Sequence, residues 1–523
     1  MAGFGVGSDL ILYLSPVLVL SLLVRRLVHF FNDKKLIKQH GCKPPMNIAP
    51  LWDPILGIDL VLQFIRAARE GRYIRFSGGR LISYDYATYV IKRLALPDTI
   101  YTAEPENIKH ILATEFKNFG LAELRINAMF PLFGSSIFTT NGPAWAHSRA
   151  LLRPSFTRSN MAPLHKMMER HFQLLLNHIP RDKSFFDLQQ PFFCFTMDTA
   201  TEFLMGKSTH TLDSTRHSEA ERHFVQDYLN CCYEAVLKIV LGKLQIFRYS
   251  RTASKARDRA WAYVDGFAEH ALASREARKV KGESAIEDEG DDSAEYNFLE
   301  EMTAQTNSRA ELRSEVLGVL LASRDTTAAL LSNLFYALSR RPHIYAKLRT
   351  EVLSRIKGPL PTEEELNNMT YLRWCINETL RFHPVVPGNT REALCDTTIP
   401  LGGGPDGKSP LFVKKGTPVI YNLHAIHRRP DIYGDDSHEF RPERWDGLRP
   451  GWGFIPFNGG PRICLGQQFA LSEASFVIAR MLQCFESIET NDSSDWLESY
   501  SLVMCSKKGV SVSLTPDKEH LGW

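Results

Sequence analysis

Three hydrophobic rhythms divide the chain. From Leu10 to Val24 the residues carry no charge, and between Gly3 and Val24 only Asp9 does. A membrane-spanning helix needs about 20 mostly apolar residues, and it tolerates a proline such as Pro16 in mid-span. Arg25, Arg26, Lys34, Lys35 and Lys38 follow at once, and positive charge marks the cytoplasmic flank. A cleaved signal peptide has the opposite order, with its charge before the apolar run. The pattern predicts a single transmembrane anchor over residues 1–30. Pro44, Pro45, Pro50 and Pro54 then make 31–55 a proline-rich, semi-rigid linker. Residues 56–523 form the globular body, which faces the cytosol.

Within the body, helical spacing dominates from about residue 100 to 380. Two segments interrupt it. Lys281 to Asp292 is acidic and small-residue-rich, as a solvated loop is. Phe116 to Gly142 lacks clean periodicity and reads as an irregular, apolar-lined connection. The longest predicted helix runs from Arg309 to Arg341 and stops at Pro342, about 50 Å at roughly 1.5 Å per residue. It carries Asp325-Thr326-Thr327 in its middle. That run is poor helix material and points to a local job, although a threonine there can also simply bond back to its own helix. After residue 390 short strands and turns take over. The fold class is therefore mainly α with a smaller β region. Gly402 to Gly407 is glycine-rich, but strand and turn residues follow it, so it does not read as a phosphate cradle.

Composition narrows the function. Lys+Arg number 62 against Asp+Glu 59, a net charge of +3, which gives no support for nucleic-acid binding. The nine cysteines form no CxxC or zinc-type spacing, so neither a disulfide framework nor a zinc site is expected, and a reducing compartment fits. His424 and His427 lack a third ligand nearby in sequence and read as structural.

The segment that carries chemistry is Phe457-Asn458-Gly459-Gly460-Pro461-Arg462-Ile463-Cys464-Leu465-Gly466. Glycines on both sides of Cys464 permit a tight loop that brings backbone N–H groups near sulfur. Those groups, nearby Arg462 and the start of a helix at Gln467 all favour a thiolate.

This segment resembles the haem-binding loop of the cytochrome P450 family at every fixed position. Glu378-Thr379-Leu380-Arg381 is similar to the family's Glu-x-x-Arg, and Phe440 to Trp445 is similar to the segment that supplies a second arginine. The resemblance covers about residues 50 to 515. It implies the cytochrome P450 fold, with 56–523 as a haem-thiolate catalytic domain holding haem b. Cys464 is then the axial iron ligand, and Trp145, Arg149, Arg391 and Arg462 bind the cofactor. Glu378, Arg381 and Arg444 form a structural triad. Asp325 and Thr326 relay the two protons that cleavage of O2 to water requires. Ser323 departs from the glycine usual in the family and narrows the oxygen pocket.

The implied activity is monooxygenation. The axial thiolate favours O–O cleavage. No flavin or nicotinamide site is evident, so electrons are expected from NADPH through a separate membrane-bound reductase. The expected location is the endoplasmic reticulum membrane. Phe116 to Phe119, Ile137 to Gly142 and Gln467 to Leu471 resemble the fungal group that hydroxylates alkanes and fatty acids, which implies terminal hydroxylation of a long apolar substrate. Phe130, Phe133, Ile137, Phe138, Val385 and Val386 are candidates to line its channel. The alternatives are a secondary-metabolite monooxygenase, a haem-thiolate isomerase or dehydratase, which would not need Asp325-Thr326, and a non-catalytic haem carrier.

Overall fold

The long apolar segment that ends at Pro342 sets the architecture. In the computed structural model, which describes residues 34–82, 87–94, 96–156, 164–281, 297–500 and 502–517, twelve helices have ten residues or more. They are α1 (Ile58–Arg69), α2 (Tyr73–Ile82), α3 (Glu123–Phe133), α4 (Gly142–Leu152), α5 (Leu164–Leu176), α6 (Gln189–Met205), α7 (Glu219–Leu241), α8 (Arg251–Lys281), α9 (Arg309–Ser339), α10 (Pro342–Arg355), α11 (Thr370–Phe382) and α12 (Gln467–Cys484). The chain is mainly helical with a smaller strand part. The expected anchor over 1–30 and the acidic loop beyond Lys281 lie outside the described residues. Among the described residues no helix is long and apolar enough to cross a membrane.

Helix α9 begins at Ser308, whose hydroxyl accepts the Glu311 N–H at 3.3 Å. It ends where Pro342 cannot continue it and starts α10 instead. It packs against α3, α6, α8, α11 and α12. A helix surrounded this way is largely apolar all round, and most of it beyond the first turn is buried. In its middle Ala322 to Thr326 are half-buried, and Ala322, Ser323, Asp325 and Thr326 line a cavity.

A five-stranded sheet lies beside the helices: β1 (Thr88–Ile91), β2 (Thr99–Thr102), β3 (Phe119–Gly120), β4 (Gly388–Ala393) and, after the hairpin β5 (Thr397–Gly403) and β6 (Ser409–Val413), β7 (Pro418–Asn422). Its order is β1-β2-β7-β4-β3. Strand β2 runs parallel to β7, and the other pairs are antiparallel, with Arg391 of β4 opposite Val419. Gly402 to Gly407 covers the end of β5 and the turn into β6. The proline-rich segment is seated on this region: Met46 N–H donates to Gly402 O at 2.9 Å and Ala49 N–H to Val90 O at 2.9 Å. Phe116 to Gly142 is more ordered than its sequence suggests, because it contains α3. That helix carries Pro131 in its last turn and has neighbours on several sides, so it shows neither a clean start-to-stop signal nor an amphipathic period. His427 is buried, and its Nε2 accepts the Ile455 N–H at 3.2 Å. Burial lowers its pKa to about 3 and keeps it neutral.

Glu378 and Arg381, three apart on α11, share one helix face. Arg381 Nε and Nη2 donate to the two Glu378 oxygens at 2.8 Å each, and Arg444 Nε donates to Oε1 at 2.9 Å. Trp445 Nε1 and the Arg441 N–H complete the carboxylate's partners at 3.1 and 2.8 Å. The arginines spend their remaining donors mostly on backbone: Arg381 on His427 O, Ser437 O and Glu439 O, and Arg444 on Tyr433 O, Asp436 O and Glu439 O, while Arg444 Nη1 also pairs with the Asp436 carboxylate at 3.0 Å. The network pins the irregular segment 427–445 to α11. Removing one partner of a buried ion pair costs about 3–5 kcal/mol. Arg381→Met should therefore lower the unfolding free energy by about that amount. Urea denaturation checks this, and a loss below about 1 kcal/mol would show that the network is dispensable.

Candidate active site

Past Phe457 the backbone turns through Asn458 and Gly460, at φ 64° and 67°. Gly460 leaves no room for a side chain, since a Cβ there would lie 1.9 Å from Leu112 O. Tyr421 Oη hydrogen-bonds Asn458 Oδ1 at 3.0 Å, and the Cys464 N–H donates back to Phe457 O at 2.9 Å. The loop delivers Cys464 to the wall of a cavity of about 350 Å³. The side chain is exposed although it sits deep among protein atoms, because what it is exposed to is the cavity. Burial raises its pKa, while the Gly466 N–H and Arg149 pull the other way. Arg462 is engaged elsewhere: its Nη2 donates to Thr140 O at 2.8 Å and Asn141 Oδ1 at 3.0 Å.

Four arginines line the same cavity: Arg125, Arg149, Arg391 and Arg462. Arg462 lies 4.5 Å above the Trp145 ring, and Arg149 donates to Ile463 O at 3.0 Å. Arg125 and Arg391 both donate to Asn389 Oδ1, at 3.0 and 3.3 Å. Burial pushes the Arg462 pKa down to about 9, and Arg391, Arg125 and Arg149 add to the shift. Among the described residues that line the cavity, Asp325 is the one carboxylate, and its partner is Arg324. So large an excess of buried positive charge fits a ligand with more than one anionic group.

Across the cavity stands the half-buried stretch of α9. Thr326 Oγ1 donates to Ala322 O at 2.6 Å. Ser323 Oγ donates to Val319 O at 2.9 Å, so its hydroxyl is spent on its own helix. Burial raises the Asp325 pKa, and Arg324 opposes the shift.

The sequence profile of the Cytochrome P450 family matches residues 93–513. The chain belongs to the cytochrome P450 family. It is 42% identical to cytochrome P450 monooxygenase himC of Aspergillus japonicus, over 91% of this chain and 84% of that one. It is 41% identical to cytochrome P450 monooxygenase FPY7 of Fusarium mangiferae, over 96% of each, and 38% identical to cytochrome P450 52A10 of Candida maltosa, over 91% and 93%. The chain is a cytochrome P450 monooxygenase, and the family implies haem iron and electrons from a redox partner.

The residues fit that cofactor. Cys464 would offer the iron a sulfur ligand, and the arginine cluster would hold the two carboxylates of a haem. Arg125 and Asn389 belong to this cluster, and sequence reasoning passed over both. The signal was an arginine set among the apolar residues of 124–133, which when buried requires a partner.

Ile137, Phe138, Val385 and Val386 line the cavity, and Phe130 and Phe133 do not. Arg125 and Met129, four apart, form the cavity face of α3. Phe130, turned about 100° from Met129, is 51% exposed at the surface, while Phe133, at the end of the helix, is fully buried in the core.

Two buried carboxyls flank the site. Glu315 accepts the Ile137 N–H at 3.2 Å, and Glu473 accepts from Thr199 Oγ1 at 2.8 Å. Burial raises each to about 7, against hydrogen bonds that pull down. An acid whose folded pKa exceeds its unfolded one favours folding below the unfolded pKa, about 4.5 here, and that contribution is lost as pH rises toward 7. Glu315→Gln and Glu473→Gln should therefore raise stability at pH 8 more than at pH 4.5. Urea midpoints at the two pH values check it, and equal shifts would contradict the assignment.

Proposed function

We propose that this P450 hydroxylates a long-chain alkane or fatty acid at its terminal carbon. In this reading it holds haem b and takes electrons from NADPH through a separate membrane-bound reductase at the endoplasmic reticulum. The observation that carries it is the apposition of Cys464 with Asp325 and Thr326 across one cavity that is otherwise largely apolar. The resemblance to the fungal alkane and fatty-acid group adds the substrate class. Residues 1–30 supply the membrane anchor in this reading. Apolar side chains displayed on the body, among them Trp52 at 96% and Phe247 at 81% exposure, support adhesion to a lipid surface.

A bound haem supplies the activation of O2, in the overall reaction RH + O2 + 2e⁻ + 2H⁺ → ROH + H2O. The chain supplies the ligand, the charge balance and the protons. Arg125, Arg149, Arg391 and Arg462 bind the propionates. Asp325 holds a proton more readily than a solvent-exposed aspartate, because it is buried. Thr326 donates its hydroxyl proton to Ala322 O and leaves its oxygen lone pairs to accept another from the cavity. Passing a proton on requires it to release that carbonyl. Thr326→Ala removes this carrier. NADPH use should continue while product per NADPH falls by roughly tenfold or more, general acid–base contributions being of order 10²–10⁴, and hydrogen peroxide should rise to match. An unchanged peroxide-to-NADPH ratio with normal product would remove Thr326 from the mechanism.

Terminal attack runs against bond strength, since the primary C–H bond is stronger than its secondary neighbour. The protein must impose the position sterically. Ile137, Val385 and Val386 are the candidate constriction. Saturated twelve- to eighteen-carbon acids or alkanes should give the terminal alcohol, and Val386→Ala should move oxidation inward along the chain more than it lowers turnover. Mass spectrometry of the products decides it, and the absence of any terminal alcohol from the wild type would overturn the substrate class.

A further inference from the structure

Helix α3 walls two cavities. Its Arg125 and Met129 line the one that holds Cys464. Its Ala128, Pro131 and Leu132 line a second, of about 180 Å³, closed on the other side by α7, α8 and the segment between them. Two side chains from those neighbours clasp the wall by its backbone: Gln245 Nε2 donates to Leu124 O at 3.0 Å and Trp261 Nε1 to Leu132 O at 2.8 Å.

The second cavity combines an apolar lining with uncancelled positive charge. Small or aliphatic side chains, including Ala128, Leu132, Ala235 and Ala253, make much of the wall. Its charged residues are Glu234, Lys238, Arg248 and Arg257. Arg248 binds Glu234 in bidentate fashion at 2.7 and 2.8 Å. Arg257 holds Asp258 at 2.7 Å and covers the Trp261 ring. Lys238 has no ion-pair partner among the described residues. Tyr249 lines the cavity and is 77% exposed. It closes a run in which Leu244, Ile246 and Phe247 are also exposed, at 61%, 78% and 81%. A lysine without an ion-pair partner on the wall of a largely apolar hollow, beside exposed apolar surface, matches a ligand with one anionic head and a hydrocarbon tail. The volume falls short of the roughly 300 Å³ of a drug-sized cleft, so part of the tail must lie along the Leu244–Tyr249 surface.

We propose that this pocket is a second, non-catalytic binding site for a long-chain carboxylate, with Lys238 on the carboxylate and the tail against α3. An occupant braces the wall that α3 presents to the first cavity, which gives the amphiphile a route to influence what binds there. The site does not depend on which substrate the first cavity oxidises.

The test uses the full chain, haem-loaded, in phosphatidylcholine nanodiscs with a dodecanoate that carries a photoreactive diazirine on its chain. After irradiation, peptide mapping should find label on Ala128, Pro131 or Leu132 and on residues 251–257, competed by unlabelled dodecanoate. Lys238→Glu should reduce that label by roughly tenfold, as loss of a charge-assisted contact does, and Lys238→Arg should restore it. Ala253→Trp, which fills the hollow without touching charge, should abolish it. Absence of label on both peptides, or label indifferent to Lys238→Glu and Ala253→Trp, would overturn the proposal. Label on peptides around Val385 and Leu502 reports the first cavity separately, so failure of the substrate reading leaves a distinct signature.

Discussion

Everything at the active site leans on one buried carboxylate. Glu378 sits without access to water and would be intolerably costly alone. Its two arginines, the Trp445 indole and the Arg441 amide satisfy it, and the arginines in turn collect five carbonyl oxygens from a stretch with little regular structure. That stretch leads into the loop that presents Cys464. A long segment made of short turns cannot hold itself in register by ladder hydrogen bonds. It is held by a charged knot whose geometry is unforgiving, since the planar guanidinium fork meets the carboxylate in only a few ways.

The same logic, with the sign reversed, shapes the cavity. Around Glu378 the charges balance within the protein. Around Cys464 they do not, and Arg391, Arg125 and Arg149 add to the burial that depresses the Arg462 pKa. Stability given up there would be recovered by a cofactor whose carboxylates these arginines hold, as the proposed function has it. By ordinary linkage the holoprotein would then be the more stable form.

Much of this was legible beforehand. Helix α9 announced itself by length and by Pro342. The cysteine loop was legible because its glycines answer to steric demands that no other residue meets. What escaped was information held only in three dimensions. Arg125 and Asn389 lie 264 residues apart, and nothing local ties them together. Helix α3 escaped because it is walled on more than one side and interrupted by Pro131, so hydrophobic periodicity had nothing to register. Phe133 was misplaced with it, since a residue's facing cannot be read before its helix is known. Arg149, far from Cys464 in sequence, joins the cations around it for a related reason: only the fold brings it to Ile463 O.

The 1.9 Å separation between Leu112 O and a Cβ at position 460 has a consequence in the language of inheritance. Every single-base missense change in a glycine codon installs a side chain, so this position has no permissible neighbour to drift toward. The walls of the cavity are different, because Ile137, Val385 and Val386 can exchange one aliphatic shape for another at modest cost. Divergence among descendants of this gene is thereby channelled: the chemistry is locked by a single atom's worth of space, while the choice of what it acts upon stays open to change.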